Sequence, residues 1–186
     1  MAKYSRPKGT QDILPEDQPY WEYLRAQVTE VAQGYGFDRI DTPIFESTEV
    51  FARGVGQGTD IVDKEMYTFL DKGDRSMTLR PEFTAGVMRA YIENGMRVQP
   101  KPIKLYSIGP AFRYEEPQAG RYRQLHQLNA EIVGIQSALA DLEIMLLAWD
   151  IYEGLNFKNL SFQLNSTGCP ECRPAYVTRL QAHYHE

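Results

Sequence analysis

Three stretches of the chain carry apolar residues at helical spacing. Tyr20, Leu24, Val28 and Val31 recur at three and four residues, which predicts a helix with one buried stripe. Asp17 stands as its N-cap, Pro19 fits its first turn, and Gly34 with Gly36 ends it. A second helix is predicted from Glu82 to Asn94, with Val87, Met88, Tyr91 and Ile92 inward and Gly95 as terminator. Ser137 caps a third through Tyr152, with Leu142, Met145, Leu146 and Trp149 turned to the core.

Between these lie segments of strand character. Residues 37–45 read as a strand interrupted by Pro43, which belongs at an edge or a bulge. Residues 65–70 and 75–79 flank Asp71-Lys72-Gly73-Asp74 and predict a hairpin. Residues 103–115 and 124–134 form a second pair around a loop holding Pro117, Ala119 and Gly120, and residues 158–164 return as a strand. The order predicts an α+β fold, a mixed and mostly antiparallel sheet flanked by helices.

The pair around Pro117 carries the chemistry. On its second strand Gln127, Asn129 and Glu131 alternate with Leu128, Ala130 and Ile132, so a period of two sets polar groups on one face and apolar groups on the other. Arg113 and Glu115 share a face on the first strand. Burying such a face without partners is costly, so it suits the lining of a pocket for a polar ligand. The guanidiniums of Arg113, Arg121 and Arg123 match phosphate by geometry and permanent charge, and the carboxylates of Glu131 and Glu115 match an amine. His126 alternates to the opposite face, where packing is its expected role, and Tyr122 reads as packing too.

Composition narrows the field without changing this picture. At 186 residues, 42% hydrophobic and 24% charged, the chain is one ordinary globular domain by length. A net charge of −5 argues against a general polyanion-binding surface, leaving the arginine-bearing loop as the local candidate. No apolar run approaches the roughly 18 residues of a membrane span, and the N-terminal MAKYSRPKGTQ lacks an apolar signal core, so no membrane and a cytoplasmic location are expected. Cys169 and Cys172 form one C-P-E-C, with His183 and His185 after it. That spacing matches no standard four-ligand zinc site, so no metal ligand is assigned and two reduced thiols in a turn are expected.

The stretch FRYEEPQAGRYRQLHQLNAE (112–131) resembles motif 2 of the class II aminoacyl-tRNA synthetases, in the wording of the histidyl-tRNA synthetases. YGFDRIDTPIFE (35–46) resembles motif 1, with Pro43 at the motif's proline. PKGTQDILP (7–15), GTDIVDKEMYTF (58–69) and LRPEFTAGVMRAY (79–91) are similar to further blocks of that family, in the family's order. The resemblance implies a class II catalytic fold over residues 1–186, with motif 1 at about 35–46 and motif 2 at about 109–134. It implies ATP-dependent activation of histidine to the adenylate, then transfer to tRNA(His), with Mg²⁺ accompanying the triphosphate and no structural metal. By the same resemblance Arg113 is the catalytic arginine at the α-phosphate. Arg113, Glu115, Arg121, Arg123 and Leu125 are the ATP-binding positions, and Glu82, Thr84, Gln127 and Glu131 the histidine-binding ones.

Two positions depart from the family's pattern. Glu116 stands where it usually has arginine, and Leu125 where it has the phenylalanine that stacks on adenine. Nothing after residue 134 resembles motif 3, the histidine-specificity segment or the anticodon-binding domain. The resemblance therefore implies the N-terminal part of a catalytic domain, not fully active alone. Motif 1 implies a homodimer, built here on Ile40, Pro43, Ile44 and Phe45. Two other functions share the fold: a synthetase-like regulatory subunit of ATP phosphoribosyltransferase, and a dimerisation module without ligand. Retention of GRYRQ-x-HQ favours the ligase over the regulator.

Overall fold

The computed structural model describes residues 4–54, 65–165 and 168–185. The chain divides into two units, Met1–Asn156 and Phe157–Glu186. In the first, helix α1 (Gln18–Gly34) is followed by β1 (Asp38–Arg39), β2 (Phe45–Ser47), α2 (Thr48–Gly54), β3 (Tyr67–Leu70) and β4 (Ser76–Leu79). Then come α3 (Thr84–Glu93), β5 (Ile103–Phe112), β6 (Gln124–Val133) and α4 (Ala138–Gly154). Helix α5 (Arg173–His185) belongs to the second unit. Among the described residues no helix is long and apolar enough to cross a membrane.

Among the described residues two three-stranded sheets form, in orders β1-β5-β6 and β2-β4-β3. Only β1 and β5 pair in parallel among the described residues, so the predicted mostly antiparallel α+β architecture is what is found. The expected single strand over 37–45 is instead β1 and the start of β2, in different sheets. Pro43 lies between them, where its missing N–H costs no ladder bond. The 65–79 hairpin forms as β3 and β4, its turn tied by Asp71, whose Oδ1 accepts from the Gly73 and Arg75 amides at 2.8 and 3.0 Å. Part of the 58–69 block lies outside the described residues.

The long β5–β6 ribbon is the spine. Its register pairs Leu105 with Glu131, Ser107 with Asn129, Gly109 with Gln127 and Ala111 with Leu125, which places all eight residues on one face. The other face carries Tyr106, Ile108, Leu128, Ala130 and Ile132 and packs under α1 and α4 with Val28, Ala32, Phe37, Leu147 and Ile151. The polar-bearing face is closed at one end by α3, where Phe83 and Val87 pack with Ile103, Leu105 and Ala111. One ribbon thus separates an apolar core from a face able to hold a polar ligand.

Helix faces differ from the sequence pattern in instructive ways. Ser137 does cap α4, its Oγ accepting from the Leu139 amide at 3.2 Å. But Leu142 and Leu146 are 46% and 43% exposed, and Leu147 and Ile151 are the buried ones. The helix is apolar nearly all round, so spacing alone does not select the stripe that faces the sheet. Tyr20 on α1 and Ile92 on α3 are also exposed, at the margins of stripes that bury Val28 and Val87. Asp17 precedes α1 but makes no side-chain cap; its Oδ2 accepts from the Leu14 amide instead. Residues 158–164 form no strand, because they fall in the second unit with no sheet edge of their own there.

Candidate functional site

The polar face of β5–β6 meets the start of α3, and the site is built there. Glu131 on β6 is the hub: its Oε1 accepts from Thr84 Oγ1 at 2.6 Å and from Asn129 Nδ2 at 3.1 Å. Thr84 opens α3, so the helix's positive end lies beside this carboxylate. Glu82 turns its carboxylate back onto the same helix end, accepting from the Thr84 amide and, at 3.0 Å, from the Ala85 amide. It acts as the cap that Phe83 at the N-cap position cannot supply. Three of the four expected amino-acid positions, Glu82, Thr84 and Glu131, are thereby brought together. Gln127 stands on the same face of β6, two residues before Asn129 and four before Glu131.

Arg113 lies just past β5 on that face. Its amide donates to Arg123 O at 2.9 Å and its Nε to Pro81 O at 2.9 Å. The carbonyl of the residue before Glu82 therefore fixes the guanidinium, so the arginine and the carboxylate cluster are held from one short segment, 81–84. Asn129 was not among the expected site residues, although it shares the period-two face. Its side-chain amide orients Glu131, which makes it a positioning residue.

Arg80 was missed as well. It is buried, its Nε donating to Pro110 O at 2.8 Å and its Nη1 to Thr42 O at 3.0 Å. Its guanidinium lies 4.1 Å from the centre of the Phe83 ring. A Cβ on Gly109 would fall 2.8 Å from its Nη2, so a larger residue on β5 would have to displace the guanidinium. Desolvation lowers its pKa from the ordinary arginine value, opposed by the charge of Asp41. Arg80 thus locks the 40–44 segment, the end of β5 and the entry to α3, which is the frame of the site. The signal was an arginine directly before Pro81, just after β4.

The arginine loop folds on itself. Arg121 Nη1 lies 3.4 Å from Glu115 Oε2, and Arg123 Nε donates to Glu115 O at 3.1 Å. The Arg123 guanidinium stacks 4.0 Å from the Tyr114 ring centre. Its amide donates to Gly9 O at 2.7 Å, and a Cβ on Gly9, at φ +80, would sit 2.7 Å from its Cγ. The N-terminal block 7–15 therefore braces the loop. A cavity of about 310 Å³ lies here, lined by Glu65, Tyr114, Glu115, Glu116, Pro117, Gln118 and Arg121. Three carboxylates face one guanidinium in it, a poor balance for a triphosphate. Leu125 is half-buried against the Phe83 and Val87 cluster and continuous with the site face. His126 points to the opposite face, as alternation requires, and its ring meets Trp21 of α1 at 4.5 Å.

The wider surface also bears on the expectations. Ile44 and Phe45 are exposed, and Phe45 meets the exposed Phe69 ring at 6.5 Å, edge to face. Ile40 differs: it packs into the cluster under α3. Among the described residues no three His, Cys, Asp or Glu side chains gather in a way that would hold a metal.

These features agree with what the chain is similar to. The family model for histidyl-tRNA synthetase matches residues 9–170. A histidine–tRNA ligase of Desulfitobacterium hafniense is 56% identical over 176 residues, spanning 95% of this chain and 42% of that protein. One from Dehalococcoides mccartyi is 54% identical over 181 residues, spanning 97% and 43%. The solved apo histidyl-tRNA synthetase of S. aureus superposes with a TM-score of 0.79 at 43% identity, over 98% of this chain and 42% of that one. An ATP phosphoribosyltransferase regulatory subunit/histidyl-tRNA synthetase from Bacillus halodurans gives a TM-score of 0.69 at 26% identity, over 82% and 38%. The chain thus spans less than half the length of the relatives it matches. With the family model covering residues 9–170 and such identities over nearly its whole length, the chain belongs to the histidyl-tRNA synthetase family.

Proposed function

We propose that this chain carries the histidine and α-phosphate subsites of a histidine–tRNA ligase, forming histidyl-adenylate from histidine and ATP. The observation that carries the reading is the joint placement of Glu131, Thr84 and Arg113. An acceptor cluster for an ammonium and a fixed guanidinium share one sheet face and one backbone segment.

In the reaction the histidine carboxylate attacks the α-phosphorus in line. The bond between the α-phosphorus and the bridging oxygen breaks, and pyrophosphate leaves. No protein nucleophile is required, so orientation and charge stabilisation supply the rate. Glu131, Glu82, Thr84 and Gln127 bind the amino acid through its ammonium and imidazole. Arg113 takes the charge that grows on the α-phosphate oxygens, and loss of one such donor costs about 3–4 kcal/mol. Glu115 serves the adenine amino group and Leu125 the adenine face. Arg121 and Arg123 reach the β- and γ-phosphates once the largely exposed Arg121 leaves the half-buried Glu115, at 3.4 Å. Mg²⁺ travels with the triphosphate, and the chemistry calls for no structural metal.

Transfer to tRNA(His), a cytoplasmic setting and a homodimer complete the reading, the dimer resting on the exposed Ile44, Phe45 and Phe69 patch. Histidine-dependent ATP–pyrophosphate exchange tests it. Slow exchange that requires histidine supports the ligase. Histidine binding with no exchange at any chain concentration would favour the regulatory subunit of ATP phosphoribosyltransferase. Binding of neither ligand would leave only a dimerisation module.

A further inference from the structure

Two cysteines of the second unit play no part in the activation chemistry. Gly168, at φ +73, turns the chain so that Cys169 and Cys172 stand on the turn entering α5. The turn is joined to the helix by backbone bonds: the Arg173 amide donates to Cys169 O at 2.9 Å and the Tyr176 amide to Cys172 O at 3.2 Å. Its sulfurs converge. Cys169 Sγ and Cys172 Sγ are 3.4 Å apart, both thiols are free, and both residues are exposed. The Cys169 amide donates to Cys172 Sγ at 3.0 Å. A Cβ on Gly168 would lie 2.9 Å from that sulfur, so the glycine makes room for it to fold back.

Chemistry decides what such a pair fits. Two sulfurs on one tetrahedral zinc, each at about 2.3 Å, stand roughly 3.8 Å apart. The observed 3.4 Å is close to that spacing, and a small opening of the turn reaches it. An amide N–H aimed at sulfur favours the thiolate, the form that binds metal. Soft thiolates select zinc over hard cations. Exposure leaves the outer side of the pair open to an incoming ion and to further ligands.

We propose that Cys169 and Cys172 form a two-thiolate half-site for Zn²⁺, outside the ligase chemistry. The half-site differs from the plain reduced thiols that the C-P-E-C spacing alone suggests. The Glu171 carboxylate lies within hydrogen-bonding reach of the Cys169 thiol, but no cluster of three potential ligands forms among the described residues. The remaining two positions are therefore filled by solvent or by the same pair of a second copy.

Titration of the reduced chain with Co²⁺, followed by displacement with Zn²⁺, tests the proposal. A thiolate-to-cobalt charge-transfer band is expected, saturating at one metal per chain if solvent completes the site and at one per two chains if a second copy does. Zn²⁺ should abolish the band. Cys169→Ser and Cys172→Ser should each eliminate it while the circular dichroism spectrum stays unchanged. Gly168→Ala keeps both thiols but crowds Cys172, and should weaken binding by tenfold or more. The proposal is overturned if no band forms, if the band survives either serine variant, or if the reduced pair ignores metal and closes to a disulfide with a mild oxidant.

Discussion

Replacing Glu131 by glutamine changes one atom and separates charge from geometry. Oε1 of Glu131 already accepts from Thr84 Oγ1 at 2.6 Å and Asn129 Nδ2 at 3.1 Å, so the second oxygen is the one available to a ligand ammonium. In Glu131→Gln the carbonyl oxygen keeps both internal donors, and the new NH₂ group takes the outward position. A donor then faces a donor, and the charge-assisted bond is gone. Hydrogen bonds to charged groups are worth about 1.5–3 kcal/mol, so histidine affinity should fall roughly 10- to 150-fold at 1.4 kcal/mol per tenfold. Folding should hardly change, since the internal bonds persist. Titration calorimetry on both chains should use histidine, histidinol (ammonium kept, carboxylate lost) and imidazolepropionate (ammonium lost). The first two should weaken together, and the third should bind both chains alike. If imidazolepropionate weakened as much as histidine, Glu131 would be acting on the imidazole or on the fold. If nothing weakened, the ammonium site lies elsewhere.

Arg113→Ala should lower ATP–pyrophosphate exchange by about 10²–10³ with little loss of stability, because its one described side-chain bond is to Pro81 O. The double substitution Glu116→Arg, Leu125→Phe should raise ATP affinity at least tenfold in calorimetry. It removes an anion from a cavity already holding Glu65 and Glu115, and it adds an aromatic face worth about 1–3 kcal/mol to a base. Phe45→Lys should shift sedimentation toward monomer, since Phe45 is 50% exposed beside Phe69. Tyr35 donates to Asp150 at 2.5 Å, and that bond pushes its pKa from 10.0 up to about 12. Its folded-state pKa is the higher one, so its contribution is complete below pH 10 and is lost as pH rises toward 12. The urea midpoint of Tyr35→Phe should therefore lie below that of the parent at neutral pH and converge with it in that alkaline window.

The elements legible in the sequence were those whose pattern had one solution. The β5–β6 ribbon showed a clean period of two, which put Gln127 and Glu131 on one face of β6; the register then set that face against Leu105, Ser107 and Gly109 of β5. The β3–β4 hairpin was marked by an Asp-Lys-Gly-Asp turn whose first side chain could cap it. Where the pattern was degenerate, the structure chose. Helix α4 could have buried any side, and contact with α1 and the sheet selected Leu147 and Ile151 over Leu142 and Leu146. Helix α5 and the short α2 carried no apolar stripe strong enough to announce them.

The site was legible in its residue types and less so in its connections. Sequence spacing put Glu82 at a helix start, where cap and ligand were competing roles. The structure gives its carboxylate to the Thr84 and Ala85 amides while leaving it beside Glu131's partner Thr84. A carboxylate oxygen accepts more than one bond, so capping and ammonium binding are compatible in one residue. The cap fixes the orientation of the Glu82 carboxylate. Arg80 and Asn129 were missed for the opposite reason. Arg80 works through long-range bonds, to Thr42 O and Pro110 O, that no local period encodes, whereas Asn129 showed its face by alternation but not its bond to Glu131. An arginine 7% exposed with two carbonyl partners is costly to misplace, since losing either partner strands a buried charge. The candidate site face therefore depends on a buried cation, and Arg80 holds the backbone from which Arg113, Glu82 and Thr84 are aimed.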